Sequence, residues 1–371
     1  MESLLVYDGS GPVRIPPSMG EPLPDQVCGT DLENLGEVAS RICYDSLGLG
    51  PDGKRRGRSA VSLHAHILEV KNLSVLEHCT FTVRLSQGHP TLAVLMACVN
   101  RKGVRVDVIR GGVEITVNFR AVLEWGRVTD TTNEACGQYR VREIGQILRH
   151  FASGLAPTIF GSATRSPFQD DAELVRPADL TDDQAHVSLY LRGSRGFTHE
   201  QVRHRFAMSQ RSTRYCDESI SEYVIHPLIE AYCDDFLVPS EDRDDVDRAM
   251  ADSMRTDRFA YKLLVEKLQA YCESKGLDRT SARKQARGAA RGYLGNALES
   301  EMIFTAPVSG WKWMLRQRKN ALADAEIREV YTGVLSALKG SRYGERFLDY
   351  DLAPSPDGIG TVLVLREYAV T

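Results

Sequence analysis

The sequence predicts an α+β fold, because strand patterns and helix patterns occupy separate stretches instead of alternating regularly. The strand patterns are short runs rich in β-branched residues, at 78–83, 104–109, 112–119 and 187–192. The helix patterns are longer, at 60–72, 246–273, 279–298 and from Asp324 to Gly340. We therefore expect an antiparallel sheet of short strands packed with long helices.

The N-terminal part begins irregularly, since residues 1–30 are rich in Pro and Gly. An apolar pattern over 31–47 is followed by a Gly-, Arg- and Lys-rich loop at 48–58. The apolar set of the next predicted helix is Val61, Leu63, Ile67, Leu68 and Val70. A turn at 73–77 then leads into the first strand.

The second half opens after a Pro- and Asp-rich stretch, 155–185, that predicts a linker. A strand over 187–192 precedes a short helix from about Thr198. The last predicted helix carries one apolar face, formed by Ile327, Val330, Tyr331, Val334, Leu335 and Leu338.

Composition excludes several classes of protein. The 371 residues are 42% hydrophobic and 26% charged, which is typical of a globular chain long enough for two domains. The net charge of −4 disfavours a general nucleic-acid binder. The longest apolar run, Leu92 to Val99, is too short to span a membrane, and no signal peptide is visible. We expect a cytoplasmic protein without membrane or nucleic-acid partners.

The eight cysteines predict neither disulfides nor a metal site. None of them forms a Cys-x-x-Cys pair, so we expect no metal. Cys216 follows a basic motif and is conceivable as a nucleophile. The alternative, a small side chain in a loop wall, is favoured because no His–Asp pair accompanies it locally.

Residues 203–215 are the most informative stretch, reading Arg-His-Arg-Phe-Ala-Met-Ser-Gln-Arg-Ser-Thr-Arg-Tyr. Its four arginines have no acidic neighbour before Asp217. A packed core cannot use such a segment, because buried charges must be paired. Forked Arg donors match phosphate oxygens, so the stretch predicts an anion site.

This stretch resembles the signature of the flavin-dependent thymidylate synthases, which runs Arg-His-Arg, seven residues, Ser, any residue, Arg. Here only six residues separate Arg205 from Ser212. The run from Ser209 to Tyr215 fits without a break, so the missing residue lies between Arg205 and Met208. In the family this loop holds both flavin and nucleotide.

Three further segments are similar to the family. Residues 72–78, Asn-Leu-Ser-Val-Leu-Glu-His, resemble its flavin-contacting turn, and Asn118-Phe-Arg120 resembles its Asn-x-Arg motif. Arg291 stands where the family has an arginine for the nucleotide phosphate. Arg318 stands where it has an arginine that contacts the pyrimidine.

The resemblance implies a thymidylate synthase-complementing (ThyX-like) fold and an FAD enzyme. Such an enzyme moves a one-carbon group from 5,10-methylenetetrahydrofolate to C5 of dUMP and uses NADPH as reductant. Arg318 would be the catalytic residue, stabilising charge on the ring. Implied nucleotide contacts come from Glu200, Arg203, Gln210, Arg211, Ser212, Arg214, Arg291 and Arg318. Implied flavin contacts come from Asn72, Ser74, Asn118, Arg120, Arg203, His204, Arg205 and Gln210.

Several of these residues have an alternative role. Arg318 could be a surface cation near Asp324. The arginines at 283, 287 and 291 recur at intervals of four, which is also typical of a solvated helix face. Asn72 and Ser74 could cap a turn, and His78 could fix one.

A repeat is a further hypothesis. His78–Arg84 and His186–Arg192 align at an offset of 108 residues, and Gly88 matches Gly196. We hypothesise two tandem copies of one unit, in an N-terminal domain (1–165) and a C-terminal domain (166–371). The first would have lost Arg-His-Arg near Leu95, and the second would have lost Asn-x-Arg at residues 307–309. The alternative is one domain with a large insertion at 88–185.

The resemblance leaves the substrate and assembly open. The product could be a C5-methylated or hydroxymethylated UMP or dCMP, as in a phage or antibiotic pathway, or the chain could be a non-catalytic nucleotide-binding relative. Family members are typically homotetramers. With two units in each chain, a homodimer would contain the same four units as such a homotetramer.

Overall fold

The computed structural model describes residues 6–7, 31–46, 60–87, 103–121, 172–235 and 241–366. The predicted apolar run at 92–99, Gly88, the position near Leu95 and the boundary between the two proposed domains lie outside these residues, as do the loop at 48–58 and most of the predicted lead-in. The described part contains two four-stranded antiparallel sheets, a C-terminal hairpin and the helices that cover them.

The first sheet is built mainly from the N-terminal half. Its strands are β2 (Thr80–Ser86), β3 (Val104–Ile109), β4 (Gly112–Asn118) and β5 (Ala172–Leu174). The spatial order is β3-β4-β2-β5. The strands predicted near 78–83, 104–109 and 112–119 are therefore confirmed. Strand β4 is buried along its whole length, although Glu114, Thr116 and Asn118 alternate with apolar residues in it.

The second sheet contains β1 (Val6–Tyr7), β6 (His186–Ser194), β7 (Ala207–Gln210) and β8 (Glu299–Pro307). The spatial order is β1-β6-β8-β7, and every pairing is antiparallel. The predicted irregular lead-in thus contributes a short edge strand, which two residues cannot reveal by their pattern. The predicted strand at 187–192 is confirmed and is longer at both ends.

The two sheets share one connection pattern. In the first sheet, β4 lies between β2 and β3, and in the second sheet, β8 lies between β6 and β7. In each case the last of the three strands along the chain is the central one. Register extends the correspondence: Thr80 pairs with Asn118 in the first sheet, and Ser188 pairs with Thr305 in the second. Since Thr80 and Ser188 are related by the offset of 108, Thr305 is the counterpart of Asn118. The sequence alignment matched Asn118 with residue 307. The strand register matches it with Thr305, two residues earlier.

The helices of the N-terminal half are α1 (Asp31–Cys43) and α2 (Ala60–Glu69). Helix α1 confirms the apolar pattern at 31–47. Helix α2 ends three residues earlier than predicted, and Lys71 then takes a left-handed conformation with φ of 57°. A helix cannot continue through such a residue.

The second half supplies the remaining helices. These are α3 (Arg195–Gln201), α4 (Pro227–Asp235), α5 (Glu241–Ser274), α6 (Arg279–Ala290), α7 (Val308–Arg318) and α8 (Ala325–Lys339). The apolar face predicted for the last helix packs into the main core around Trp311. The Asp324 carboxylate accepts hydrogen bonds from the N–H groups of Glu326 and Ile327, which sets the start of α8.

Two predictions from the sequence differ from the structure here. The helix predicted over 279–298 ends at Ala290, is followed by a short 3₁₀ turn (Arg291–Tyr293), and the chain then enters β8. Gly292 and Gly295 lower the helix propensity of this stretch. The predicted linker at 155–185 contains strand β5, which adds to the edge of the first sheet beside β2.

A hairpin closes the described chain. Strands β9 (Tyr350–Pro354) and β10 (Thr361–Leu365) pair antiparallel with each other. Tyr350 is completely buried in the main core, and the main-chain N–H of Leu363 donates to the carbonyl of Lys319 at 2.8 Å. The hairpin is therefore attached to the end of α7.

Candidate functional site

The Arg-His-Arg motif lies at the end of α3. The Ser194 hydroxyl caps this helix by accepting from the N–H of Phe197. A 3₁₀ turn (Val202–His204) follows, and Arg205 then adopts a left-handed conformation with φ of 59°. Strand β7 begins only two residues later. The sharp reversal at Arg205 lies where this loop is one residue shorter than the family signature.

The first group of site residues joins the motif to α7, and we call it the Arg318 cluster. The guanidinium of Arg318 donates from Nε to Nε2 of His204 at 2.9 Å. It also donates to the carboxylate and the carbonyl of Glu200, each at 3.2 Å. Arg203 contacts the same carboxylate at 2.8 Å, and Trp313 packs edge-on against the His204 ring. Four predicted site residues therefore meet although 114 positions separate His204 from Arg318.

The Arg318 cluster holds His204 in its neutral form. Burial, the largest cause, and the nearby Arg318 cation lower the pKa of His204 to about 4. Because Nε2 accepts from Arg318, the remaining ring proton is on Nδ1. The ring is thus a fixed hydrogen-bond acceptor for Arg318 at neutral pH.

A second group of cations lies where the signature loop approaches α6. Arg291 donates to the hydroxyl of Thr213 at 3.3 Å. A Cβ on Gly288 would lie 3.7 Å from Nε of Arg214, so this helix and the loop are close together. Arg195 is near as well, since the Arg291 cation contributes, after burial, to lowering the pKa of Arg195. Within the described chain, Arg214 and Arg291 have no carboxylate partner, and this leaves them available to an anion.

Arg211 differs from the other arginines of the signature because it lies inside the protein. Its side chain is 11% exposed and lies within 3.7 Å of the carboxylates of Asp45 and Glu218. It donates to the Ser221 hydroxyl at 3.1 Å. Burial raises the pKa of the neighbouring Glu301 carboxyl to about 7. The expected nucleotide contact from Arg211 therefore has no support in its placement, because the guanidinium is already engaged by internal carboxylates.

The other predicted residues of the signature have mixed placements. The Gln210 amide donates to Thr198 at 3.0 Å and to Ser300 at 2.8 Å, so it fastens β7 to α3 and β8. The N–H of Ser212 donates to the carbonyl of Cys43 at 3.1 Å, which brings the end of α1 against the signature. Cys216 is buried and its pKa is raised to about 12 by burial, which favours the small-side-chain alternative over a nucleophile.

The turn containing Asn72 and Ser74 lies beside the same part of the signature. The Ser74 hydroxyl donates to the Asn72 amide oxygen at 3.2 Å, and the Asn72 amide nitrogen lies 3.5 Å from the Tyr44 hydroxyl. The Tyr44 ring packs edge-on against Tyr215. The predicted flavin-contacting turn therefore reaches the signature through Tyr44.

A cavity of about 200 Å³ lies between the two sheets. The first half contributes Glu77, Thr80, Gly103, Asn118 and Arg120, and the second half contributes His186, Arg205, Phe206, Ala207 and Thr305. Arg120 is fixed by an ion pair with Glu77 at 2.5 Å. For Arg205 the described residues provide no ion-pair partner. The cavity thus brings three predicted flavin-contacting residues, Asn118, Arg120 and Arg205, to one place.

His78, which the repeat alignment matches with His186, contacts Thr305 on the wall of this cavity. His78 lies two residues before Thr80, as His186 lies two residues before Ser188. The buried His78 ring contacts the hydroxyl of Thr305 at 2.7 Å through Nδ1 and that of Ser209 at 2.9 Å through Nε2. Burial lowers its pKa to about 3. His186 lines the cavity. The ring of His78, its counterpart in the repeat alignment, instead forms hydrogen bonds through both of its nitrogens.

Comparison with known proteins agrees with this geometry. The sequence profile described as "Thymidylate synthase complementing protein" matches residues 182–340. Residues 182–340 belong to the flavin-dependent thymidylate synthase family. These residues contain the signature, Arg291 and Arg318, together with strands β6, β7 and β8 of the second sheet.

The similar proteins include three named "Flavin-dependent thymidylate synthase". One from Mycobacterium sp. (strain KMS) and one from Mycolicibacterium gilvum (strain PYR-GCK) are 35% identical over 181 and 180 residues. One from Mycobacterium tuberculosis (strain ATCC 25177 / H37Ra) is 34% identical over 181 residues. Each alignment covers 47% of this chain and 66% of the relative's length.

The family domain contains site residues that the sequence did not single out. Arg195 has no motif that points to it, and only the fold places it near Arg291. Outside this domain, Glu77 lines the cavity and belongs to the turn at 72–78 that resembles the family's flavin-contacting turn. His186 lines the cavity too and belongs to the segment that the repeat alignment marked. Among the described residues, no helix combines the length and apolar character that a membrane span requires.

The contact between Arg318 and His204 leads to a prediction about ionisation. We expect the imidazole signals of His204 in an NMR titration to give a pKa of about 4, below the ordinary 6.5. Because folding favours the neutral ring, this contribution to stability falls as pH decreases from 6.5 towards 4. Arg318→Ala removes one cause and should raise this pKa, whereas burial keeps it below 6.5.

A His204→Gln variant assigns the signals. A pKa near 6.5 in the unmodified protein, or no change in Arg318→Ala, would contradict the contact.

Proposed function

We propose that this protein transfers a one-carbon group from 5,10-methylenetetrahydrofolate to C5 of a pyrimidine nucleotide, and that the nucleotide is dUMP. The observation that carries the proposal is the Arg318 cluster, in a family domain that also contains Arg214 and Arg291, two cations for which the described residues provide no carboxylate partner. Relatives at 34–35% identity are named for this activity. A protein that only bound nucleotides would have no need for the ordered contacts of Arg318 with His204 and Glu200.

In this proposal the phosphate binds at Arg214 and Arg291. Arg214 belongs to the signature loop, and Arg291 follows α6 directly and contacts Thr213 of that loop. Each guanidinium can form charge-assisted hydrogen bonds with phosphate oxygens. Ser212 is next to this pair in the chain and is available for the phosphate or the sugar. The positive charge of Arg195, which also lies near the Glu218 carboxylate, adds to the local potential.

Arg318 then acts on the pyrimidine. Its planar guanidinium presents several N–H groups in fixed geometry, and these can stabilise the negative charge that develops on the ring. Glu200 accepts two of these hydrogen bonds in the structure. We infer that Glu200 holds Arg318 in place and exchanges part of this contact for the nucleotide.

The flavin requires a site that the residues of this chain can form. Asn118, Arg120 and Arg205 line one cavity and offer an amide and two cations, which fits the phosphates and polar ring edge of FAD. The cavity of about 200 Å³ is smaller than common ligand pockets of roughly 300–1,000 Å³, so it would hold one segment of the dinucleotide. When bound, reduced FAD supplies the hydride of the reaction, with NADPH as its reductant.

The activity is tested directly with purified protein. We expect flavin absorbance and, after reduction by NADPH, transfer of label from labelled methylenetetrahydrofolate to dUMP, detected by mass analysis of the nucleotide. UMP and dCMP are included in the same panel. Transfer to UMP alone or to dCMP alone would show that this nucleotide, and not dUMP, is the substrate. A colourless protein without transfer would contradict an enzymatic role.

The phosphate contact gives a second prediction. Arg291→Ala should raise the dUMP dissociation constant at least tenfold, because a charge-assisted contact contributes roughly 1.5–3 kcal/mol. Arg283→Ala, on the same helix and exposed, is the matched control and should leave affinity unchanged. Calorimetric titration measures both. Equal affinities in the two variants would place Arg291 outside the site.

Arg318 is tested by a conservative change. Arg318→Lys should keep most nucleotide affinity but lower turnover sharply, because an ammonium is a point donor and cannot bridge two ring atoms. Arg316→Lys, in the same last turn of α7, is the control. Turnover near the unmodified value in Arg318→Lys would remove this residue from the mechanism.

We further propose that the two sheets belong to tandem copies of one unit, residues 1–165 and 166–371, that have specialised. Their common strand order, the common register and the pair of His78 and His186 support this idea. Of the two histidines, His186 lines the cavity, whereas His78 is buried with both ring nitrogens in hydrogen bonds. A homodimer of such chains would contain four units and two flavin sites.

The tandem arrangement predicts one FAD per chain and two chains per assembly. Flavin titration and light scattering measure these numbers. Asn118→Ala should weaken FAD binding although it lies outside the family match, whereas Arg110→Ala, at the other end of the β3–β4 hairpin, should not. A tetramer of full chains, or normal FAD binding in Asn118→Ala, would argue for an unrelated insertion.

A further inference from the structure

Lys319 is fully buried, although it follows Arg318 directly in the chain. Its ammonium donates to the carbonyl and hydroxyl of Thr361 at 2.6 and 2.7 Å. It also contacts the Thr332 hydroxyl at 2.8 Å and the Arg328 carbonyl at 3.0 Å. Four neutral oxygens therefore surround a cation in the interior, and their hydrogen bonds offset part of the cost of removing this charge from water.

The side chain and the main chain of Lys319 both form hydrogen bonds with strand β10. Its side chain reaches Thr361 at the start of β10, and its carbonyl accepts from the N–H of Leu363 at 2.8 Å. A second fastening joins the hairpin to α8, because Arg328 donates to the Ser355 hydroxyl and, at 2.6 Å, to Asp357. The hairpin lies beyond residue 340, where the family match ends.

The direction of the Arg318 side chain depends on this attachment. Arg318 is the last residue of α7, where a helix end frays unless its backbone is held. The residue after it is held by both its side chain and its main chain. The guanidinium reaches back to His204 and Glu200 only if this last turn keeps its position.

We propose that Lys319 is a positioning residue for Arg318. By tying the end of α7 to the C-terminal hairpin, it fixes where the Arg318 guanidinium meets the pyrimidine. The inference rests on the proposed function of Arg318 for its catalytic consequence, whereas its structural part rests on the contacts of Lys319 alone.

The test uses Lys319→Met in the full-length protein, which keeps the side-chain length and removes the ammonium. Its first readout is the NMR pKa of His204, which Arg318 lowers. If the guanidinium moves away, this pKa should rise in Lys319→Met, as in Arg318→Ala. Lys312→Met is the matched control, since this lysine lies on the same helix and pairs with Asp182 at 2.8 Å. It should leave the His204 pKa unchanged.

The second readout is a double-mutant cycle on turnover. Lys319→Met should lower turnover about ten- to a hundredfold when Arg318 is present, because small displacements of a positioned group have effects of that size. The same change should cost far less in the Arg318→Lys background. A role in stability alone would lower turnover equally in both backgrounds and leave the His204 pKa where it is, and this result would overturn the proposal.

Thermal unfolding shows whether each variant folds. Thr361→Val removes one acceptor and keeps the backbone contacts, so it carries the test if Lys319→Met does not fold. It should raise the His204 pKa in the same direction by a smaller amount, and no change would contradict the proposal. Unmodified turnover in Arg318→Lys would instead count against the proposed function, while the His204 readout still decides the role of Lys319.

Discussion

The pairing of β8 with strands on both of its edges is the constraint on which the candidate site depends. Strand β8 pairs with β6 over nine positions and with β7 over four. Its Glu301 carbonyl accepts from the N–H of Arg211, and its Ser300 hydroxyl accepts from Gln210. Helix α7 begins directly at the end of this strand and carries Arg318 at its own end. One strand therefore fixes the signature loop on one side and Arg318 on the other.

The cations of this protein divide into two groups by burial and by partner. Arg211, Lys319 and Arg328 are buried or nearly so, and each is bound by internal carboxylates, hydroxyls or carbonyls. Arg205, Arg214 and Arg291 are exposed, and the described structure provides no carboxylate for them. Buried cations need fixed partners because desolvation is costly, so they hold segments together. Exposed cations without an internal partner retain their capacity for an anionic ligand.

The histidines at 78 and 186 have different contacts, although the repeat alignment matches them. Each lies two residues before the strand residue that pairs with Asn118 or its counterpart Thr305. Around His78 the hydroxyls of Thr305 and Ser209 satisfy both ring nitrogens, which holds the ring against β7 and β8. Around His186, Asn118 and Arg120 remain on the wall of a cavity. The two histidines therefore have different surroundings, although each lies two residues before its strand pair.

The sequence by itself determined the strands at 104–109 and 112–119, the helix after Asp324, and the family of residues 182–340 through the Arg-His-Arg signature. These features are local: alternation, helix periodicity, a capping aspartate and a short motif need no distant partner. The sequence could not show that Arg211 is interior while Arg214 is exposed, because both belong to one run of cations and differ only in what packs against them. It also could not show that Lys319 is buried or that His78 is buried in hydrogen bonds while His186 lines a cavity. These properties depend on contacts between residues far apart in the chain, such as His78 and Thr305, and only the tertiary structure brings such residues together.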